Sequence, residues 1–287
     1  MDTRDLATFA AVARLGGMGR AALALNTVQS NVTQRVRRLE QSLGVSLFER
    51  SRSGVRLTAA GQRLMPYAAR VDALLDEAGR AARDDGTPRG TLTVGALETT
   101  AALRLSPLLA SYVKAHPQVD LVLRTGTTAE MIEGVLAREL EGAFVCGPVV
   151  HQELVATTAF EEQLALLSMP SNRSLADLLD QADLRLIILR AGCSYRQRLE
   201  EILARRGVVG LRRLEFGTLE AILGAVAAGL GITLMPRALV GPAWRGGRIA
   251  VHGLRPAEAR VQTVFVRRRD MPCSSALNAF QKHAIEG

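Results

Sequence analysis

Apolar side chains at Leu6, Phe9, Ala10 and Ala13 recur with helical spacing and predict a first amphipathic helix over residues 2–15, stopped by Gly16-Gly17. An Ala-rich stretch predicts a short helix over 20–25, after which Asn26-Thr27 offers turn and N-cap chemistry. In the next helical pattern Val28, Val32, Val36, Leu39 and Leu43 share one face. At about 100° per residue the opposite face carries Ser30, Gln34, Arg37 and Gln41, flanked by Asn31, Thr33 and Arg38. Gly44 is placed to end that helix. Strand-like residues at 47–49 and 55–57, joined through Arg50-Ser51-Arg52-Ser53-Gly54, read as a hairpin. Helix, helix, turn, helix and hairpin make a winged helix-turn-helix.

Thr58 can cap a long helix reaching about residue 83, with Leu64, Val71, Leu74, Leu75, Ala78 and Ala82 as its apolar stripe and Pro66 as an expected kink or missing hydrogen bond. A stripe that apolar predicts a partner helix. Residues 84–90 hold the turn formers of a linker. Beyond them, strand-like runs at 92–94, 119–123, 143–146, 164–167, 186–189, 232–234 and 261–266 alternate with helical ones. That alternation predicts an α/β domain with largely parallel strands, whose ligand sites lie at strand carboxyl ends beside helix N-termini.

Charge sharpens the picture. Residues 1–70 carry eleven arginines against four acids, an excess of seven, whereas the whole chain has a net charge of +8. Nearly all of the imbalance lies in one quarter of the chain, as expected of a module that meets phosphates. The longest apolar runs, at 221–226 and 232–235, fall well short of the ~18 residues of a membrane span. Residues 1–5 do not begin a basic leader, so the expected location is the cytoplasm and no membrane partner is expected. Cys146, Cys193 and Cys273 are too few for a disulfide framework. His116, His151, His252 and His283 show no metal-ligand spacing, and no nucleophile elbow or phosphate loop is present, so no metal, cofactor or enzymatic activity is expected.

The stretches Arg20-Ala21-Ala22, Leu25-Asn26, Gln29-Ser30-Asn31-Val32-Thr33-Gln34-Arg35-Val36-Arg37-Arg38-Leu39-Glu40, Leu43-Gly44-Val45-Ser46-Leu47-Phe48-Glu49-Arg50 and Leu57-Thr58-Ala59-Ala60-Gly61 resemble the LysR-type transcriptional regulators. The resemblance continues at Gly192-Cys193-Ser194-Tyr195-Arg196, at residues 227–236 and at 264–268. Gly17, Gly19 and Val28 depart from it, standing where the family usually has Ser, Thr and Ser. The resemblance implies a winged helix-turn-helix DNA-binding domain over 1–58, a dimerising linker helix and hinge over 59–89, and an effector-binding domain over 90–287. That last domain is expected to resemble a periplasmic binding protein, with subdomain I at about 90–161 and 266–287 and subdomain II at about 162–265. The implied partners are double-stranded promoter DNA, a small-molecule effector, a homodimer or homotetramer, and RNA polymerase.

The helical wheel and the resemblance together assign Gln29, Ser30, Asn31, Thr33 and Gln34 to the groove of DNA, Arg37 and Arg38 to groove or backbone, and Arg50, Arg52 and Arg56 to the wing and flanking phosphates. Arg37 and Arg38 could instead simply solvate their helix. Position assigns the effector to Glu98, Thr99, Thr100, Thr127, Thr128, Cys193 and Ser194, where hydroxyls and amides converge at helix starts and suit a small carboxylate or other oxyanion. Each threonine could equally be an N-cap. Glu98 leaves an amino acid or amine-bearing ligand open. Cys193 at a helix start makes redox sensing a further alternative, and a ligand-binding module whose helix-turn-helix serves protein contact is another.

Overall fold

The computed structural model describes residues 1–51, 54–172, 174–175, 178, 183–189, 194–241 and 246–285. The chain forms two compact units that divide between Asp84 and Asp85. In the first, α1 (Thr3–Leu15), α2 (Met18–Ala24) and α3 (Gln29–Leu43) precede a hairpin of β1 (Phe48–Ser51) and β2 (Gly54–Leu57), then α4 (Ala59–Arg83). Asp2 caps α1 by accepting from the Arg4 amide at 3.0 Å. Gly16 and Gly44 close α1 and α3 in the left-handed conformation, which costs glycine nothing.

Leu6, Phe9 and Val12 of α1 pack with Ala21, Ala22, Val32, Val36, Leu39 and Leu47 to form the core. The apolar face expected on α3 is therefore shorter than its periodicity suggests: Val28 is 65% exposed and Leu43 38%. Val28 is the N-cap, its backbone extended, so its side chain does not follow the helical wheel. Thr58 caps α4 by accepting from the Gly61 amide at 3.1 Å. A Cβ on Gly61 would collide with the Leu47 carbonyl, so only glycine lets α4 pass this close to the wing. Helix α4 runs on through Pro66. Its stripe divides: Leu64 and Val71 pack on the helix-turn-helix core, while Leu74 and Leu75 are exposed along with Tyr67.

The second unit is α/β. Its strands β3 (Gly90–Leu97), β4 (Val119–Gly126), β5 (Gly142–Cys146), β6 (Leu154–Ser168), β9 (Thr233–Pro236), β10 (Ala250–Gly253) and β11 (Arg260–Arg268) form one sheet in the order β10-β6-β11-β5-β3-β4, with β9 also on β6. β7 (Arg185–Leu189) and β8 (Arg212–Phe216) form a parallel pair, and an isolated bridge joins Leu186 to Ile232. Parallel pairing holds for β3 with β4 and β5 and for β7 with β8, but β11 is antiparallel to β5 and every partner of β6 is antiparallel. The expectation of a largely parallel sheet thus fails at the crossover. There β6 pairs with β11 in its first part and with β9 and β10 at its end, carrying the chain from one lobe into the other. Strands β8 and β10 are not among the expected ones: β8 alternates charged with apolar residues from Arg213 on, and β10 buries His252 while its one large apolar residue, Val251, is exposed.

Both faces of the first lobe's sheet are covered. Leu92, Val94, Tyr112, Phe144, Phe265 and Phe280 fill one side, and Met131, Val135, Val145 and Val266 the other. The helices responsible are α5 (Ser106–Ala115), α6 (Thr128–Leu136) and α9 (Ser275–Ile285). In the second lobe α7 (Ser194–Ala204) and α8 (Leu219–Ala227) cover the sheet through Leu199, Ile202 and Leu203 and through Ile222, Leu223 and Val226.

His252 of β10 is buried, with Nε2 2.8 Å from the Ser168 hydroxyl. Burial pushes its pKa below the ordinary 6.5 because a charged imidazole would lose its hydration. The unfolded chain then binds this proton more readily than the folded one, so the stability held above pH 6.5 declines as the pH falls through that value. His252→Asn is expected to flatten this slope in urea unfolding of the full chain between about pH 5 and 7; an unchanged slope would show that other groups dominate it.

Candidate nucleic-acid interface and ligand cleft

Gln29, Ser30, Thr33, Gln34, Arg37, Arg38 and Gln41 line one open, concave surface on α3. The face follows from periodicity, since Val32, Val36 and Leu39 turn the opposite side inward. Three interactions set its position. Arg35 reaches the buried carboxylate of Asp5 on α1 at 3.4 Å. Glu40 accepts from the Leu47 amide at 2.7 Å and the Phe48 amide at 3.3 Å, fixing where β1 starts relative to α3. The Gly16 carbonyl accepts from Arg20 Nη2 at 2.9 Å and the Val55 amide at 3.5 Å, tying the second wing strand to the turn after α1.

Asn31 points elsewhere: its side-chain amide donates to Thr27 Oγ1 at 2.9 Å, bracing the start of α3. Thr27 is therefore not the cap; Val28 is, with no side-chain cap bond. Asn26 takes the left-handed turn conformation at φ 49°. The Thr33 hydroxyl donates to the Gln29 carbonyl at 2.9 Å. Arg56 is exposed on β2, Arg50 lies in β1, and Arg52 falls outside the described residues. With Arg37 and Arg38 and no acid among its lining residues, the surface can meet phosphates and offer amides and hydroxyls to base edges.

In the second unit, Leu97, Glu98, Thr99, Gly126, Thr127, Thr128, Leu189, Ser194 and Tyr195 surround a cleft of about 30 Å³. The first lobe contributes the carboxyl ends of β3 and β4, and the second contributes the end of β7 and the start of α7. Thr127 is the N-cap of α6 in a full capping box: its hydroxyl accepts from the Glu130 amide at 3.3 Å, and the Glu130 carboxylate accepts from the Thr127 amide at 2.8 Å. Ser194 donates to Thr128 Oγ1 at 2.9 Å, a bond between helix starts on opposite sides of the cleft. Thr99 is different, because it is 2% exposed and its Oγ1 has no hydrogen-bond partner. Leaving a buried hydroxyl unpaired costs about 1–3 kcal/mol, so such a group is a strong pointer to a ligand. Thr100 is buried beside it but does not line the cleft, and Cys193 lies outside the described residues.

Sequence reasoning missed the apolar walls Leu97, Leu189 and Tyr195, because in sequence they are ordinary core residues. Gly126 carried a signal: it ends β4 where a Cβ would press on the Glu130 carboxylate. Among the described residues no helix is long and apolar enough to cross a membrane.

A polar, acid-free helix face in a winged helix-turn-helix, on the same chain as a two-lobed α/β unit with a cleft between its lobes, is the layout of a ligand-responsive DNA-binding regulator. Comparison with known proteins agrees. The model of bacterial regulatory helix-turn-helix proteins of the lysR family matches residues 3–62, and that of the LysR substrate binding domain matches residues 85–287. The chain belongs to the LysR family of transcriptional regulators. It is 40% identical over 283 residues to the HTH-type transcriptional regulator GltR of Bacillus subtilis, covering 99% of this chain and 96% of GltR. It is 43% identical over 280 residues to the uncharacterized regulator YusT of the same organism, covering 98% and 94%. The structure of full-length CbnR complexed with its target DNA superimposes with a TM-score of 0.69 at 27% identity, covering 99% of both chains. The chain is accordingly a DNA-binding transcriptional regulator with an effector-binding domain, and not an enzyme.

Glu40→Ala leaves the Leu47 and Phe48 amides without their acceptor. Hydrogen bonds to charged groups contribute about 1.5–3 kcal/mol, so amide exchange at 47–48 should quicken by roughly tenfold or more. Unchanged exchange would remove Glu40 from the wing's support.

Proposed function

We propose that α3 enters the major groove of promoter DNA. Gln29, Ser30 and Gln34 meet base edges, Thr33, Arg37 and Arg38 meet edges or the flanking backbone, and Arg50, Arg52 and Arg56 of the hairpin meet phosphates. Asn31 acts by bracing the helix start. The observation that carries this reading is the single open face shared by the polar residues of α3. The domains divide as 1–58 for DNA, 59–89 for the linker helix and hinge, and 90–287 for the effector, with subdomain I at about 90–161 and 266–287 and subdomain II at about 162–265. The exposed Tyr67, Leu74 and Leu75 of α4 support pairing with the same helix of a second chain, giving a homodimer or, by further contacts, a homotetramer. RNA polymerase is a further partner, and the protein works in the cytoplasm.

The effector binds between the lobes. The unpaired Thr99 hydroxyl and the Thr128 and Ala129 amides, which the capping box does not use, suit a small carboxylate or another oxyanion, and Glu98 on the cleft wall extends the class to amino acids, whose ammonium group it would meet. A cleft of about 30 Å³ admits such a ligand only as the lobes part, which requires the Ser194–Thr128 bond to open.

Gln34→Ala is expected to weaken binding to a selected duplex by about tenfold or more while leaving binding to random duplex within about twofold, whereas Arg56→Ala weakens both and lowers the salt slope. Equal losses for Gln34→Ala on the two duplexes would remove it from base reading. Thr99→Val keeps shape but removes the unpaired hydroxyl, so the full chain should melt at the same temperature or slightly higher, while thermal shifts given by a panel of small carboxylates and amino acids disappear. Retention of every wild-type shift would place the ligand elsewhere.

A further inference from the structure

Helix α2 begins with an unusual pair, Gly17 as its N-cap and Gly19 in its first turn. Glycine is the poorest helix former apart from proline. At Gly19 the backbone gives no reason for it, because this residue is not in the left-handed region that Gly16 occupies. What glycine supplies there is room: a Cβ at position 19 would lie 3.3 Å from Oε1 of Gln29 and 4.0 Å from its Cδ. At Gly17 the corresponding neighbour is the flexible end of Arg20, at 3.7 Å. Thus α2 and the first residue of α3 meet at Gly19, with the carboxamide of Gln29 resting above a bare stretch of helix.

That carboxamide is exposed and makes no hydrogen bond among the described residues, and its oxygen lies where a Cβ at position 19 would crowd it. The backbone beneath it is held independently. Asn31 is bonded to Thr27, and the Gln29 carbonyl accepts from the Thr33 hydroxyl. Glutamine reads adenine with both ends of its amide, an arrangement that depends strictly on where the amide points.

We propose that Gly19 is a specificity-determining residue that acts through Gln29: the missing Cβ leaves open the place the Gln29 carboxamide takes, and hence permits the base it prefers. The inference rests on the reading of α3 as the base-reading helix. A side chain at position 19 pushes the amide off its seat, changing one position of the recognised sequence without touching DNA elsewhere. Gly19 is a positioning residue, since Gln29 makes the contact.

The test selects binding sites for the full-length protein from a randomised duplex library, comparing wild type with Gly19→Ala, Gly19→Thr, Gln29→Ala and the double variant Gly19→Thr/Gln29→Ala. Gln29→Ala should flatten one base position in each half-site. Gly19→Thr should move the base preference at that same position by about fivefold or more, with the other positions within about twofold. Gly19→Ala, which adds only the Cβ on a better helix former and so preserves the fold, should shift it in the same direction by less. In the Gln29→Ala background, Gly19→Thr should have no further effect on the motif. The proposal is overturned, with α3 still the reader, if Gln29→Ala loses its position while both Gly19 variants select the wild-type sequence. It is also overturned if the Gly19→Thr shift persists without Gln29, since the new side chain would then be making the contact. If Gln29→Ala leaves the selected sequence intact, Gln29 reads no base, and its assignment to the groove falls together with the proposal.

Discussion

The antiparallel ladder between β6 and β11 is the constraint on which the effector domain depends. It pairs residues 154–163 with 260–268, and β6 then continues to Ser168 in partnership with β9 and β10. Both lobes therefore share these two strands, and any relative motion of the lobes has to bend or twist them. Its register shifts between Thr263 and Val264, near the crossing. There Arg104 of the first lobe reaches the nearly buried carboxylate of Glu162 at 2.7 Å and lies over the Phe160 ring. A ligand held between the lobes would work against the stiffness of that ladder, and it would shift the lobes only by the difference in its affinity for their arrangements.

The DNA-binding unit follows another logic. Its helices are held by few devices, each placed to aim α3 and the hairpin: Asp5 with Arg35, Glu40 with two wing amides, and Gly61 beneath the Leu47 carbonyl. Two helix starts go without side-chain caps, at Gly17 and Val28. A missing cap costs about 1 kcal/mol at a residue such as Val28 and only a few tenths at a glycine such as Gly17.

Much of this was legible in the sequence because the helix-turn-helix is short-range. Val32, Val36 and Leu39 announce α3, Gly16 and Gly44 the ends of α1 and α3, and Thr58 with Gly61 the start of α4. The failures are long-range. Nothing local tells Val28 and Leu43 that α1 does not reach them, or divides the stripe of α4 between a core and an exposed edge. The antiparallel crossover was hidden because β6, fifteen residues long, shows its apolar run only at the end that enters the second lobe. In the cleft, the threonines were visible but not their separate roles: Thr127 caps, Thr128 bonds Ser194, and Thr99 alone keeps an unpaired buried hydroxyl. These distinctions arise from neighbours distant in sequence.

The central claim, that one face of α3 and the adjoining hairpin read DNA while the second unit does not, is tested most directly by hydrogen exchange of the full-length protein with and without a duplex selected from a random library. The account predicts new protection concentrated in residues 29–41 and 54–57, with the sheet of residues 90–268 unchanged in the absence of effector. Protection confined to α4 or to the second unit, with α3 exchanging as in the free protein, would contradict it.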